Sequence, residues 1–410
     1  MLNKEKNSFI NLLFYLLLFI IFFMSGVNYL SILTFQSLFT LSIFLFYTNE
    51  LISIVKEVKH KEIIFFLLAI TSISISYFFS PILNINGLHN DYHGMTLRYF
   101  SSISQLLFFF SLFVFTKVTF FNFSKLINFL IFSFFLYIFL LITRNYFDHH
   151  LIGLDLVNNR RHLGYYFVFF IAIFMSRFAV VTLKDEKKSK QYLVSILIIA
   201  FTAFFIYVAG RGATLSLFAC AVLLLFYIYK KNSLKLLNYL KNLSIILTTS
   251  ILLSYVLPNF KIFETNQLEV LLKRTFTTEN ISSHRFYLWQ TVIENNTRPI
   301  FGLGPNSFKH LRDNNKKIES IGAIQPHNIF IQFYLEWGIM GIFIICNFLL
   351  INLKKIFFNS FTKKDLNGVH IVSLSTLSSM IILSFFDGTF FYSQTLSLII
   401  IFMVTGLYKK

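Results

Sequence analysis

Charge is scarce in this sequence. Asp, Glu, Lys and Arg make up only 13% of its 410 residues, whereas 56% are hydrophobic and the mean hydropathy is +0.68. A soluble globular domain needs more charge than that to cover its surface, so that class is excluded. Cysteine is scarcer still. Cys220 and Cys346 lie inside apolar segments and form no spaced pair, which excludes a disulfide framework and a cysteine zinc site. Internal repeats, low-complexity linkers and a soluble insertion are also missing, so residues 1–410 read as a single integral membrane domain.

What is present is long apolar runs. Stretches of roughly 17 to 25 residues recur along the chain, the length a helix needs to cross the hydrocarbon of a bilayer. About twelve spans are predicted, starting near Phe9, Tyr29, Glu62, Tyr99, Ser124, Leu163, Tyr192, Gly212, Tyr239, Ile329, Val369 and Phe390. The expected fold class is therefore all-α and polytopic. The first run has no small-residue cleavage site and is soon followed by another span, so it is expected to stay as a helix and not to be cleaved as a signal peptide.

Lysine and arginine in the connecting loops set the orientation. With the N-terminus inside, 22 of the 36 basic residues fall on the cytoplasmic side, and both termini are cytoplasmic. The short outer loops keep only Arg98, Arg144, Arg160, Arg161 and Arg211. The net charge of +18 is then mainly an orientation signal, with attraction to anionic membrane lipid as its by-product and no need for nucleic acid as a partner. One long outer segment, 258–328, separates the ninth span from the tenth.

The two basic residue types divide unequally across this topology. Nine of the ten arginines fall outside and 21 of the 26 lysines inside. Lysine is a sufficient anchor, whereas the planar guanidinium binds phosphate through two parallel hydrogen bonds. Outward arginines therefore point to an anionic, phosphorylated ligand on the outer face, although any one of them can instead pair with Asp148, Asp155, Glu279, Glu294 or a lipid phosphate. Arg211, in YVAGRGATLS, is the sharpest candidate, because glycines on both sides allow close backbone approach beside a charge at the membrane.

In the outer segment, a helix is predicted from about His284 to Asn295, capped by Ser282 or Ser283, with Leu288, Trp289, Val292 and Ile293 as its apolar stripe. Arg285 would then oppose the helix dipole in the first turn, a local cost that a bound anion offsets. FGLGPNSF, from Phe301 to Phe308, is expected to form a tight turn; it lacks the lysine and hydroxyl of a phosphate-binding P-loop. The polar HLRDNNKKIESIGAI that follows suits a flap.

QPHNIFIQFYLEWGIMG then opens the tenth span. Pro326 is pre-shaped for a helix start, so His327 and Asn328 are expected in the first turn, at the outer membrane surface. An imidazole there favours its neutral form and suits a general base. Gln332 and Glu336 share one helix face and are expected to line an outward polar cavity or to support that first turn. His89, Asp91 and His93, in a loop, lack a firm third ligand, and His149 and His150 beside Asp148 read the same way; no catalytic metal is predicted.

These residues together resemble the O-antigen ligase and polymerase superfamily. The resemblance is carried by Arg285, Trp289, RPIFGLGPNSF and PHNIFIQFYLEWGIMG, with the glycine-flanked Arg211 and RRHLG at Arg160–Gly164 ahead of them. Its specific part runs from Arg160 to Gly341. It implies a GT-C-like glycosyltransferase of the bacterial inner membrane that takes a glycan from undecaprenyl pyrophosphate on the periplasmic side, without a cofactor. Ligases place the glycan on a sugar of lipid A core, polymerases on another lipid-linked repeat, and a third branch on protein hydroxyls. Matching motif positions puts the family's essential histidine at His327 and its arginines at Arg211, Arg285 and one of Arg160 and Arg161, since the doubled RR does not separate that pair. Asn328, Gln332 and Glu336 would support the site. The ligase is the favoured expectation, and a transporter of lipid-linked glycans is the alternative from another class.

Overall fold

The computed structural model describes residues 2–23, 29–57, 60–84, 89–119, 122–146, 160–208, 210–256, 284–362 and 368–407. Among the described residues the chain is α-helical and multi-pass. Seven helices are long and apolar enough to cross a membrane, or up to eight if a pair bent by 87° counts as one span. The remaining predicted spans correspond to four shorter apolar helices.

In chain order the helices are α1 (Leu2–Phe23), α2 (Tyr29–Phe46), α3 (Thr48–Glu57), α4 (His60–Phe78), α5 (His89–Val118), α6 (Phe123–Tyr146), α7 (Arg160–Leu183), α8 (Lys188–Val208), α9 (Arg211–Lys231) and α10 (Leu236–Ser254). Then come α11 (Arg285–Asn295), α12 (Ser307–Asp313), α13 (Lys316–Ile321), α14 (Ile329–Thr362), α15 (Val369–Ser384) and α16 (Ser393–Leu407). Every predicted span start but the last falls in one of them, and Phe390 precedes α16 by about a turn. The bend between α2 and α3 divides what the sequence presents as one run, because Glu50 and Lys56 make α3 amphipathic and turn it aside.

A helix apolar on every side belongs in the middle of a bundle. Accordingly, the window Leu163–Leu183 of α7 is 89% buried and packs on α8, α9 and α15. Almost all of α15 and α16 is buried as well, although both carry many serines and threonines. Several of those hydroxyls return to carbonyls a turn earlier, as Ser375 does to Ile371 and Ser379 to Ser375, each at 2.8 Å, which satisfies them within their own helix.

The outer segment is partly built of helices with a small core of their own. Leu288 and Val292 of α11, Phe308 of α12, Ile318 of α13 and Leu335 of α14 bury one another over the ends of α4 and α5. Each such side chain contributes on the order of 2 kcal/mol. Three expectations are corrected here. The polar stretch after Phe308 is no loose flap, because Leu311, Ile318 and Ala323 give it an apolar side that docks. On α11 the buried face is Leu288, Thr291 and Val292, while Ile293 is 53% exposed. His89, Asp91 and His93 lie in the first turns of α5 and not in a loop.

The feature that ties this outer layer to the bundle is a break in α14. Gly338 has φ +66° and ψ −167°, which frees the carbonyls and amides of the turn around it. The segment Pro299–Gly304 repairs the loss. Leu303 and Gly304 donate their amides to Leu335 O and Glu336 O at 2.7 and 3.2 Å, and Ile339 and Met340 donate theirs to Pro299 O and Ile300 O at 2.9 and 3.2 Å. Non-helical backbone in a membrane protein persists only where protein partners satisfy it in this way. The approach is so close that a Cβ on Gly338 would lie 2.2 Å from Ile300 O, and one on Gly302 2.5 Å from Glu336 O.

Gly338→Ala is therefore expected to destabilise the protein by about 3 kcal/mol or more, from positive-φ strain plus overpacking. A fall in the thermal unfolding midpoint in detergent checks this, and an unchanged midpoint would contradict the pairing.

Candidate functional site

The PHN tripeptide is gripped from three directions. Trp289 of α11 donates Nε1–H to Pro326 O at 2.8 Å. Asn328 accepts from the amides of Phe330 and Ile331 at 2.9 and 3.1 Å through Oδ1 and donates from Nδ2 to Phe385 O at 3.1 Å. His327 meets Asp387, with Nδ1 to Oδ1 at 2.9 Å. Asn328 is thus the N-cap of α14. His327 lies one residue earlier, at φ +54°, and not in the first helical turn as the proline suggested. The cap residue has to be Asn328, whose amide reaches both the helix and Phe385, so the histidine is displaced into the left-handed region that non-glycine residues rarely hold.

Asp387 sits in the short connection between α15 and α16. Its Oδ1 also accepts from the Gly388 amide at 2.9 Å, which holds the carboxylate in place. Both partners are buried, His327 to 7% exposure and Asp387 to 9%. An ionised carboxylate only accepts, so Nδ1–H donates to it, which selects the tautomer whose lone pair is on Nε2. The pair therefore supplies an oriented proton acceptor. Gly388 is needed for this packing, because a Cβ there would lie 1.6 Å from Oε1 of the fully buried Gln325.

Three arginine-bearing helix starts converge on the segments 325–328 and 385–392. Arg285 opens α11 one turn before Trp289, which holds Pro326. Arg211 opens α9 after the extended Gly210, and its neighbour Gly212 lies against Phe386, where an added Cβ would come within 2.7 Å of Phe386 Cβ. Arg160 and Arg161 open α7, and Tyr165, about one turn on, packs its ring 6.2 Å from that of Tyr392. The side chains of Arg160 and Arg161 lie outside the described residues, as do Ser282, Ser283, His149 and His150. Helix N-termini carry partial positive charge, so the starts of α9 and α11, which bear Arg211 and Arg285, favour an anion.

Gln332 and Glu336 are buried, at 4% and 1% exposure. Both point into the protein: Gln332 Nε2 donates to Glu336 Oε1 at 3.1 Å, and the same oxygen accepts the Asn306 amide at 3.1 Å. Glu336 Oε2 lies 3.6 Å from Nε of Arg98, which is buried in α5 and is not a surface arginine. Among the described residues, no three His, Cys, Asp or Glu side chains are grouped to hold a metal ion.

Sequence reasoning missed Asp387 and the inward role of Arg98. The available signal for the first was a lone acid in FFDGTFFY, an ionisable residue inside an apolar run, which is a site candidate on solvation cost alone.

The fold and site define a multi-pass membrane protein with a buried His–Asp pair whose neighbouring segments are touched by residues near the starts of α7, α9 and α11. Residues 195–346 match the model of the Wzy_C family, described as O-Antigen ligase, and this supports the O-antigen ligase superfamily without distinguishing ligase from polymerase. The match spans Arg211, Arg285 and His327 and supports a glycosyltransferase-like function connected with lipopolysaccharide. No curated protein matches the chain.

Replacing Asn328 with alanine removes the cap and is expected to cost about 1–2 kcal/mol. Serine, which can still cap, is expected to recover part of that in thermal unfolding; equal midpoints for the alanine variant and the wild type would contradict the capping role.

Proposed function

We propose that this chain is an O-antigen ligase, transferring a glycan from undecaprenyl pyrophosphate to a sugar hydroxyl of lipid A core. In this reading it lies in the bacterial inner membrane on a GT-C-like frame, with both termini cytoplasmic and the site periplasmic, within or beside the outer segment 258–328. The observation that carries it is the buried His327–Asp387 pair set among the starts of α7, α9 and α11.

The chemistry follows from that arrangement. His327 Nε2 takes the proton of the acceptor hydroxyl as its oxygen attacks the anomeric carbon. The bond from that carbon to the phosphate oxygen breaks, undecaprenyl pyrophosphate leaves with the bonding pair, and the anomeric configuration inverts. Asp387 stabilises the imidazolium formed on His327. Arg211, Arg285 and Arg160 or Arg161 hold the pyrophosphate and neutralise the charge that grows on it, a task a divalent cation performs in other transferases. Pyrophosphate is a good leaving group, so positioning and charge suffice and the transfer is metal-independent.

His327→Ala and Asp387→Asn are each expected to slow transfer at least about 100-fold, the scale of a lost general base, while the protein still folds and inserts. Full activity of His327→Ala would eliminate the base. Arg211→Lys and Arg285→Lys lose the two-pronged contact and are expected to weaken donor use about tenfold, the value of one charge-assisted hydrogen bond. The deciding assay supplies purified protein with lipid-linked glycan, lipid A core and a second lipid-linked repeat, with and without chelator. Glycan on the core, unaffected by chelator, is the expected product. Glycan on the repeat would make the chain a polymerase, glycan only on a protein acceptor would place it in the protein-glycosylating branch, and no transfer to any acceptor would favour a carrier of lipid-linked glycans.

A further inference from the structure

We infer that Arg98 is a positioning residue for the His327–Asp387 pair, acting through the turn that carries the carboxylate. This rests on the transfer reaction proposed above.

Arg98 was counted among the outward arginines by topology, yet its side chain is turned into the protein and only 7% of the residue is exposed. Three of its contacts bear on the site. Nη1 donates to Phe391 O at 2.8 Å, Nε lies 3.6 Å from Glu336 Oε2, and the guanidinium carbon stands 4.9 Å from the centroid of the Phe391 ring. The first and third fix one residue of the α15–α16 connection. From Phe391 a chain of hydrogen bonds runs back to the site: its amide donates to Gly388 O at 2.9 Å, the Gly388 amide donates to Asp387 Oδ1 at 2.9 Å, and that oxygen bonds His327 Nδ1 at 2.9 Å.

The circuit closes because His327 and Glu336 both belong to the α14 region. Glu336 is anchored in turn by the Asn306 amide and by Gln332. A displacement of the Asp387 turn away from α14 therefore has to break the contact of Arg98 with either Phe391 or Glu336. A buried guanidinium is a costly way to join two segments, and removing one member of such a pair leaves the other charge uncompensated. No step of the reaction uses Arg98, and these three contacts are to a carbonyl, a carboxylate and a ring of the protein itself. What it supplies is a fixed distance between Asp387 and the helix that presents His327.

The test combines transfer kinetics with a thermal double-mutant cycle that needs no activity. Arg98→Met is expected to lower kcat about 100-fold, the scale of a small misplacement of reacting groups, with the donor KM changed less than about threefold. Arg98→Lys, which restores charge beside Glu336, is expected to recover part of kcat. In the cycle, Asp387→Asn is expected to lower the unfolding midpoint less in the Arg98→Met background than in wild type, because the two share one network. A raised donor KM with unchanged kcat would make Arg98 a donor contact, and additive midpoints with unchanged kcat would make it a structural ion pair; either overturns the inference. If the wild-type chain transfers no glycan, the proposed reaction fails while the thermal cycle still decides the coupling. Should Arg98→Met not fold, Glu336→Gln, which keeps the acceptor for Asn306 and loses the charge, serves with the same outcomes.

Discussion

A hydrogen bond between His327 Nδ1 and Asp387 Oδ1, buried from both water and lipid, joins the start of α14 to the connection between α15 and α16. The chemistry assigned to the site depends on this contact, because an imidazole free to rotate or to exchange tautomers is a poor base. The carboxylate settles both the orientation and the tautomer. Its own desolvation is offset by the Gly388 amide and by the histidine, which explains how an acid persists in a segment as apolar as FFDGTFFY.

The same contact needs a rigid frame around it, and the break at Gly338 provides one. By giving up helical hydrogen bonds there, α14 gains a second set to FGLG, and through Glu336 it gains Asn306 and Arg98. The outer layer of α11, α12 and α13 is thereby locked to the bundle, and Trp289 of that layer holds Pro326 in turn. Local strain at His327 and Gly338 is tolerated because several independent contacts determine each position.

How much of this was legible in the sequence depended on the range of the interaction. Span positions follow from local apolar runs, so the helices appeared nearly where expected. The helix start after PHN, and the interest of His327 and Arg211, were also local: proline, glycine and a polar residue at the edge of an apolar run each carry their own physics. Asp387 was not, since its partner is remote in the chain and nothing in FFDGTFFY says which surface the turn will meet. Arg98 was misplaced for the same reason, because counting charges by loop says which side of the membrane a residue lies on and not whether it faces inward. The break at Gly338 has the same origin, because the loop that pairs with it lies more than thirty residues earlier in the chain.

On this reading the arginine-bearing helix starts and the His–Asp pair serve one ligand. The measurement closest to it is an experimental structure of the chain with undecaprenyl pyrophosphate bound. The diphosphate oxygens are expected within hydrogen-bonding distance of the Arg211 and Arg285 guanidinium groups, with Nε2 of His327 facing the space beside the terminal phosphate. A diphosphate held elsewhere, with those arginines out of reach and the imidazole turned toward lipid, would contradict it.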